Sequence, residues 1–174
     1  MALWTPFRAG ERLTAGRLNA LVTEWEPYTP VWSADTGTTT LGNGTLRGKY
    51  QRIGNTINFR IFLEWGTTTA QSEPAANWAF SLPATVQSSE GPEFWPVSMW
   101  VIHNTGSSNY RFTGAGYVDS SRNAVYALTT NADNAFLDSA TFPSQVADSG
   151  ISPDGTAVTA GDQVNIWGSY EAID

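Results

Sequence analysis

One stretch limits what this chain can fold into more than any other: residues 41–66 read LGNGTLRGKYQRIGNTINFRIFLEWG. Gly54-Asn55 separates two runs of alternating residues, which is typical of a two-residue turn in a β-hairpin. In the second run, Asn58, Arg60, Phe62 and Glu64 alternate with the apolar set Ile57, Phe59, Ile61, Leu63 and Trp65. Because side chains alternate between the two faces of a strand, we expect the apolar set to build the core.

The same period of two recurs along the rest of the chain at fairly even spacing. Further strands are predicted over residues 28–34, 77–83, 94–104, 109–119, 122–130 and 162–172. The links between them are rich in Gly, Ser, Asn, Asp and Pro, which is typical of turns. We therefore predict an all-β domain over residues 28–174, an antiparallel β-sandwich or jelly roll. Residues 131–155 have no clean period and predict a long loop that is functional or covers a sheet edge.

The N-terminal segment, residues 1–27, has a different pattern. The spacing of Leu18, Leu21 and Val22 predicts a short helix from about Ala15 to Trp25. A helix of this length is marginally stable alone, so it must pack on its own β domain or on a neighbouring subunit.

The composition is that of a turn-rich globular protein. Hydrophobic residues make up 41% of the chain and charged residues 14%, so global disorder is not expected. There is no cysteine, which excludes disulfides and thiolate metal sites. No apolar run has the length of a signal-peptide core or of a membrane span, so we expect neither secretion by a signal peptide nor membrane insertion.

The formal charge of −7 is unevenly distributed. Residues 1–65 contain seven Lys or Arg against five Asp or Glu, whereas residues 66–174 contain two against eleven. The acidic second half disfavours general nucleic-acid binding. Basic residues nevertheless cluster on the hairpin, at Arg47, Lys49, Arg52 and Arg60. They are interpreted as a solvated strand face or as a docking patch for an acidic partner.

Residues that could carry catalysis or hold a metal are few. His103 is the only histidine, and its place in a predicted strand favours a structural role. Glycosidase chemistry needs two carboxylates, but pairs such as Glu90 and Glu93 lie in loops where solvated acids are the rule. Oxygen ligands for calcium occur in a Gly-rich region at Asp148, Asp154 and Asp162. No ligand loop of the EF-hand type passes through these residues. From these observations on histidine, carboxylate pairs and calcium ligands together, we expect no catalytic residue, metal or cofactor.

The presence of eight tryptophans is typical of a protein with a binding surface, because Trp stacks on sugar rings and is enriched at interfaces. Predicted strands contain most of them, and the core is the expected place for Trp32, Trp65, Trp78, Trp100 and Trp167. Trp95, between Phe and Pro at the start of a predicted strand, is expected to be exposed. Trp95, Tyr110, Tyr117 and the 131–155 loop are therefore the candidate contacts for a partner or a glycan.

Two segments resemble parts of bacteriophage proteins. LGNGTLRGKYQRIGNTINFRIFLEWGTTT, followed by NWAFSLP, resembles a β module of minor tail and tail-fibre proteins, particularly from phages that infect actinobacteria. Upstream, FRAGERLTAGRLNAL resembles a motif that opens a small helix near the start of many phage tail proteins. Together the two matches cover about residues 7–24 and 41–83, less than half of the chain.

The resemblance implies a virion component, typically trimeric, made in the host bacterial cytoplasm and in contact with other virion structural proteins or the host envelope. It further implies that the N-terminal helix anchors or trimerises the protein, with a buried face of Leu13, Leu18, Leu21, Val22 and Trp25. We expect a non-enzymatic minor tail or fibre-like protein that displays its β domain for host-surface or virion contacts.

Three other functions stay open at this point. The chain could be a carbohydrate-binding module that recognises cell-wall glycan, or a capsid decoration or head-fibre protein. The third alternative is a hydrolase of cell-wall polymer, an interpretation that only the pairs of acidic residues support.

Overall fold

In the computed structural model, the described residues are 9–12, 14–16, 24–34, 37–72, 78–87, 95–104, 109–128 and 158–173. Their regular structure is dominated by β-strands. The strands are β1 (Glu26–Tyr28), β2 (Trp32–Ala34), β3 (Thr39–Thr40), β4 (Thr45–Ile53), β5 (Thr56–Glu64), β6 (Ala70–Gln71), β7 (Trp78–Ser81), β8 (Pro96–Asn104), β9 (Asn109–Asp119), β10 (Ala124–Leu128) and β11 (Gln163–Glu171).

Nine of these strands form one sheet in the order β1-β4-β5-β11-β8-β9-β10-β7-β2, and β3 pairs with β6 in a small second sheet. Every pairing in both sheets is antiparallel. The predicted all-β antiparallel fold is therefore confirmed, in a sandwich-like form in which one long sheet curls on itself.

The curl follows from where the first two strands lie. β1 pairs at one edge of the sheet and β2 at the other, although only residues 29–31 separate them along the chain. Such a short link requires the two edges to approach each other. Trp32 of β2 accordingly lies 5.3 Å from Trp65, which follows β5, and 5.4 Å from Trp78 of β7, measured between ring centroids. The halves of the sheet thus meet around a tryptophan cluster.

The predicted hairpin is confirmed as β4 and β5, with a turn at Gly54 and Asn55 and Ile53 opposite Thr56. The apolar face of the hairpin is buried as expected, comprising Ile57, Phe59, Ile61, Leu63 and Trp65. On β11 the partners of this face are Val164, Ile166, Gly168 and Tyr170. The core therefore fills the inside of the curl, where each strand contributes every second residue.

Two turns close the open end of the hairpin through Asn43 and Thr68. The Asn43 Oδ1 atom accepts hydrogen bonds from the Thr68 amide and hydroxyl, and the Thr68 Oγ1 atom accepts one from the Asn43 amide, all at 2.9 Å. Gly42 has a positive φ of 55°, and a Cβ added there would collide with Thr68. The GNG and GTTT segments of the resemblance thus form one interlocked pair of turns.

One prediction about the N-terminal half needs correction, and a second is not shown. Residues 28–34 do not form one strand: the chain leaves the sheet after Tyr28 and re-enters at Trp32, with Pro30 buried between. The predicted helix from about Ala15 to Trp25 is not shown. Ala15 and Gly16 have helical backbone, whereas Trp25 is non-helical.

Residues 17–23 of that predicted helix, with Leu18, Leu21 and Val22, lie outside the described residues, as does Leu13. The predicted loop over residues 131–155, with Asp148 and Asp154, also lies outside them. No helix within the described ranges is long and apolar enough to cross a membrane.

Candidate functional site

The outer face of β4, β5, β11 and β8 carries a shallow groove of about 690 Å³. Its side chains come from the positions that alternate with the buried core positions of the same strands. The polar and charged side chains that line it are Arg47, Lys49, Arg60 and Asn165, and the apolar ones are Phe62, Trp100, Ile102 and Trp167. We call this surface the outer groove.

Strand register arranges these side chains in two neighbouring rows. The first row crosses the four strands as Arg47, Phe62, Asn165 and Trp100. The second row crosses them as Lys49, Arg60, Trp167 and Ser98. Cations therefore occupy the β4 and β5 side of the groove, and indole rings occupy the β11 and β8 side.

Trp100 and Trp167 are the most exposed aromatic side chains of the groove, at 42% and 41% of their full accessible surface. They lie on adjacent strands and one row apart, because Trp167 faces Ser98 and Trp100 faces Asn165. Diagonal neighbours of this kind are about 7–8 Å apart across a sheet. Both were expected in the core, and that prediction is wrong for these two, while Trp32, Trp65 and Trp78 are buried as expected.

Aromatic rings hold two of the groove cations in place. The guanidinium carbon of Arg47 lies 4.6 Å from the ring centroid of Phe62, and that of Arg60 lies 4.6 Å from the ring of Trp25. Such contacts orient a cation without neutralising it. Among the described residues, no carboxylate forms an ion pair with Arg47, Lys49 or Arg60. Within the described ranges, the positive charge of the groove is therefore not compensated by an ion pair.

Trp25 lies beside the groove, in non-helical backbone, and not on the buried face of a helix. It immediately precedes β1, which pairs with β4, and its ring is 36% exposed. Of the residues implied to form a buried N-terminal face, it is the one that the structure describes. Its contact with Arg60 brings the end of the N-terminal segment to the rim of the outer groove.

Arg52 does not belong to the groove, although it was grouped with the other three basic residues. It faces Ile57 across the hairpin, on the core side of β4, and its Nε atom donates a hydrogen bond of 2.8 Å to the Gly54 carbonyl. The two faces alternate along β4, so Arg47 and Lys49 point outwards and Arg52 points inwards.

The remaining candidate contacts are separate from the groove. Trp95 is partly buried and packs against the core, so its expected exposure is wrong. Tyr117 stacks on Tyr126, with ring centroids 5.3 Å apart and planes 13° from parallel. Tyr110 lies in β9, but its side chain is outside the described part of the structure. The structure thus does not assemble Trp95 and Tyr117 with the groove aromatics.

His103 forms a buried pair with Asp162 that links the end of β8 to the start of β11. Its Nδ1 atom lies 3.0 Å from both carboxylate oxygens, and the two side chains are 0% and 2% exposed. Asp162 also accepts hydrogen bonds of 2.7 Å from the backbone amides of Asn104 and Thr159. Its oxygens are thus occupied by donors, which leaves it unsuited to hold calcium. Over the described ranges, no cluster of three or more His, Asp or Glu could hold a metal ion.

Sequence reasoning missed Phe62, Asn165, Trp100 and Trp167 as groove residues, although the alternation contained the signal. In PVSMWVIHN, Val97, Met99 and Val101 occupy the buried positions, which places Trp100 on the other face. In QVNIWGSYE, Val164 and Ile166 occupy the buried positions, which places Trp167 on the outer face. A large apolar residue at an outward position of a strand is therefore the feature that identifies this surface.

Compared with known proteins, the chain matches no family model, no curated protein and no solved structure. The outer groove and the segments that resemble phage proteins are therefore the features from which a function can be inferred.

Proposed function

We propose that the chain is a non-enzymatic structural protein of a bacteriophage virion, a minor tail or fibre-like protein that contacts the host surface through its outer groove. Residues 1–27 anchor it to neighbouring virion proteins and support a homotrimer. The observation that carries this proposal is the pair of exposed indole rings of Trp100 and Trp167 beside groove cations that no described carboxylate pairs with.

The groove has the physical properties of a binding surface. Large aromatic side chains left exposed on a sheet lose the stabilisation of burial, about 1.5–3 kcal/mol for a large apolar side chain. Trp offers a broad apolar face together with a hydrogen-bond donor, and it has few rotatable bonds to immobilise on binding. The groove residues stand on the four long strands β4, β5, β8 and β11, each of nine residues, which position them rigidly.

The segments that resemble phage tail modules support the location on a virion. The interlocked turns at Asn43 and Thr68 give those segments a structural role, because they fix the open end of the hairpin that carries Arg47, Lys49 and Arg60. A domain without cysteine that works outside the cell needs stabilisation by packing or by subunit contacts, and a trimer supplies the latter.

Purified particles of the phage that encodes the chain provide the test. We expect mass spectrometry to detect the chain in washed particles, immunogold labelling to place it on the tail, and light scattering of the isolated protein to give a trimer. Labelling on the capsid would instead favour the head-fibre or decoration alternative. Absence from washed particles would overturn the proposal.

A carbohydrate-binding module is the second candidate, and the adjacent exposed rings of Trp100 and Trp167 favour it specifically. Sugar rings stack on such aromatic faces. The two candidates are compatible, because a virion protein that contacts a host envelope can do so through a glycan. Binding to host cell walls in a pull-down, lost in a variant with both groove tryptophans replaced by Ala, is the expected result for this candidate.

A further inference from the structure

We propose that the outer groove binds an acidic polysaccharide with carboxylates on its sugar rings, which stack on Trp100 and Trp167 while the carboxylates pair with Arg47, Lys49 and Arg60. This inference rests on the proposed function, because it names the ligand class of the same groove. Both the arrangement of rings and the balance of charge point to it.

The cations indicate an anionic ligand. Arg47, Lys49 and Arg60 line the groove, and no Asp or Glu is among the lining residues that the structure describes. The chain as a whole carries a charge of −7, so the groove is a local positive surface on an acidic protein. A second copy of this groove would bring like charges together. An anionic partner is therefore complementary to the groove.

Two arginines among these cations suit an oxyanion, a carboxylate or a phosphate. A guanidinium group offers a planar set of donors that matches a carboxylate with two parallel hydrogen bonds. The rings of Phe62 and Trp25 contact the guanidinium groups of Arg47 and Arg60. Among the described residues, no acidic side chain accepts a hydrogen bond from these two guanidinium groups. The groove thus supplies oriented donors whose charge is not yet matched.

The spacing of cations and rings indicates that charge and apolar surface belong to the same ligand unit. Arg60 and Trp167 are direct neighbours across β5 and β11, and Lys49 lies beside Arg60 on β4. A uronic acid carries its carboxylate on the ring that would stack on Trp167. A polyol phosphate has charge but no ring for the indole, and a neutral glycan has rings but leaves three cations unmatched.

Nucleic acid also combines rings with negative charge, but the acidic character of the rest of the chain disfavours it. Single strands carry one phosphate at each nucleotide, and their binding proteins follow the backbone with an extended basic groove. Here eleven acidic residues against two basic ones in residues 66–174 repel a ligand of that charge density. An acidic polysaccharide with a carboxylate on every second sugar, as in hyaluronan, has a lower charge density than nucleic acid and fits the groove better.

Calorimetric titration of the full chain with defined polymers tests the proposal. The acidic probes are polygalacturonate, alginate and hyaluronan. The comparison probes are carboxyl-reduced polygalacturonate, which has rings without charge, poly-glutamate, which has carboxylates without sugar rings, and single-stranded DNA. We expect at least one acidic polysaccharide to bind about tenfold or more tightly than every comparison probe, and we expect added salt to weaken that binding.

Variants connect the binding to the groove. We expect Trp100→Ala with Trp167→Ala, and separately Arg60→Gln, to weaken binding by about tenfold or more, since each removes a ring or charge contact. Arg52→Gln is the matched control, because Arg52 lies on the opposite face of the same hairpin. Ile173→Ala controls for loss of an exposed apolar side chain, since Ile173 is 50% exposed and lies beyond β11. Thermal unfolding of each variant verifies that it is folded.

Three results would overturn the proposal: no binding to any acidic polysaccharide, equal binding of the carboxyl-reduced polymer or of poly-glutamate, or tighter binding of DNA. Equal loss of affinity in Arg52→Gln would also count against the groove as the site. These results are independent of the virion location, because the chain can still be detected in washed particles when it binds none of the probes. Failure of this inference is thus distinguishable from failure of the proposed function.

Discussion

Tyr170 and Ala84 exchange two hydrogen bonds in the core: the phenol donates to the Ala84 carbonyl at 2.9 Å and accepts from the Ala84 amide at 3.1 Å. This contact joins β11 to the segment that follows β7. Tyr28 differs from it: its side chain is only partly buried, but its hydroxyl is buried and has no hydrogen-bond partner among the described residues. The same substitution at these two positions should therefore have opposite effects.

Tyr170→Phe should lower the free energy of unfolding by about 1–3 kcal/mol, because it removes two hydrogen bonds from the partly buried amide and carbonyl of Ala84. Tyr28→Phe should leave it unchanged or raise it by about 1 kcal/mol, since the hydroxyl it removes is desolvated and unpaired. Urea denaturation of both variants at neutral pH measures the difference. A loss in Tyr28→Phe as large as that in Tyr170→Phe would contradict the assigned hydrogen bonding.

Stability should decline at alkaline pH through the same phenols. Burial raises the pKa of Tyr28 and Tyr170 above the ordinary value of 10.0, so the folded protein keeps their protons where the unfolded chain loses them. The stabilisation is complete below pH 10 and falls as the pH rises above it, by about 1.4 kcal/mol per pH unit for each group. Urea midpoints between pH 8 and pH 11 should show a shallower decline for Tyr28→Phe than for the wild type. Equal slopes would show that Tyr28 is not the source.

Gly42 and Gly54 both have positive φ angles, of 55° and 61°, but only Gly42 is crowded. Gly54→Ala should cost about 1 kcal/mol, because nothing lies within 4 Å of an added Cβ and only backbone strain remains. Gly42→Ala should cost at least about 2 kcal/mol, since the added Cβ also displaces Thr68 from Asn43. Thermal unfolding of the two variants gives the comparison. Equal losses of stability would mean that Thr68 can move away from Asn43 without further destabilising the domain.

Asp162→Ala should destabilise the domain by about 3 kcal/mol or more, because buried His103 and the partly buried amides of Asn104 and Thr159 lose this acceptor. Asp162→Asn should lose less stability, since the one oxygen of the Asn side chain still accepts a hydrogen bond. Hydrogen exchange at Asn104 and Thr159, followed with the urea midpoint, measures both effects. If the Ala variant were as stable as the wild type, the pair would have no structural role.

Much of the sheet could be predicted because alternation is a local property. β9 runs from Asn109 to Asp119, the range expected from the sequence, and the buried face of β5 was identified residue by residue. The separation of β1 from β2 could not be predicted, since it depends on pairing with β4 and β7 far along the chain. β3 and β6, with two residues each, are too short to have a period.

The outer groove was predicted only in part. Charge alone indicates Arg47, Lys49 and Arg60, but it also includes Arg52, which only the alternation of odd and even positions along β4 separates from them. Trp100 was assigned to the core on the general tendency of Trp to be buried, which the alternation of β8 contradicts. The insertion of β11 between β5 and β8 creates the groove, and no local pattern encodes that neighbour.

The separation of β1 and β2 onto opposite edges of the sheet also determines how the domain responds to mechanical force. Each of these strands is held by three residue pairs, whereas β5 is held by nine pairs on either side. We expect tension applied through the segment before β1 to reach β1 first and β2 next, and to detach these two strands before the longer ones. The chain lengthens at these weak edges under load, while the long strands that carry Trp100, Trp167 and Arg60 stay paired.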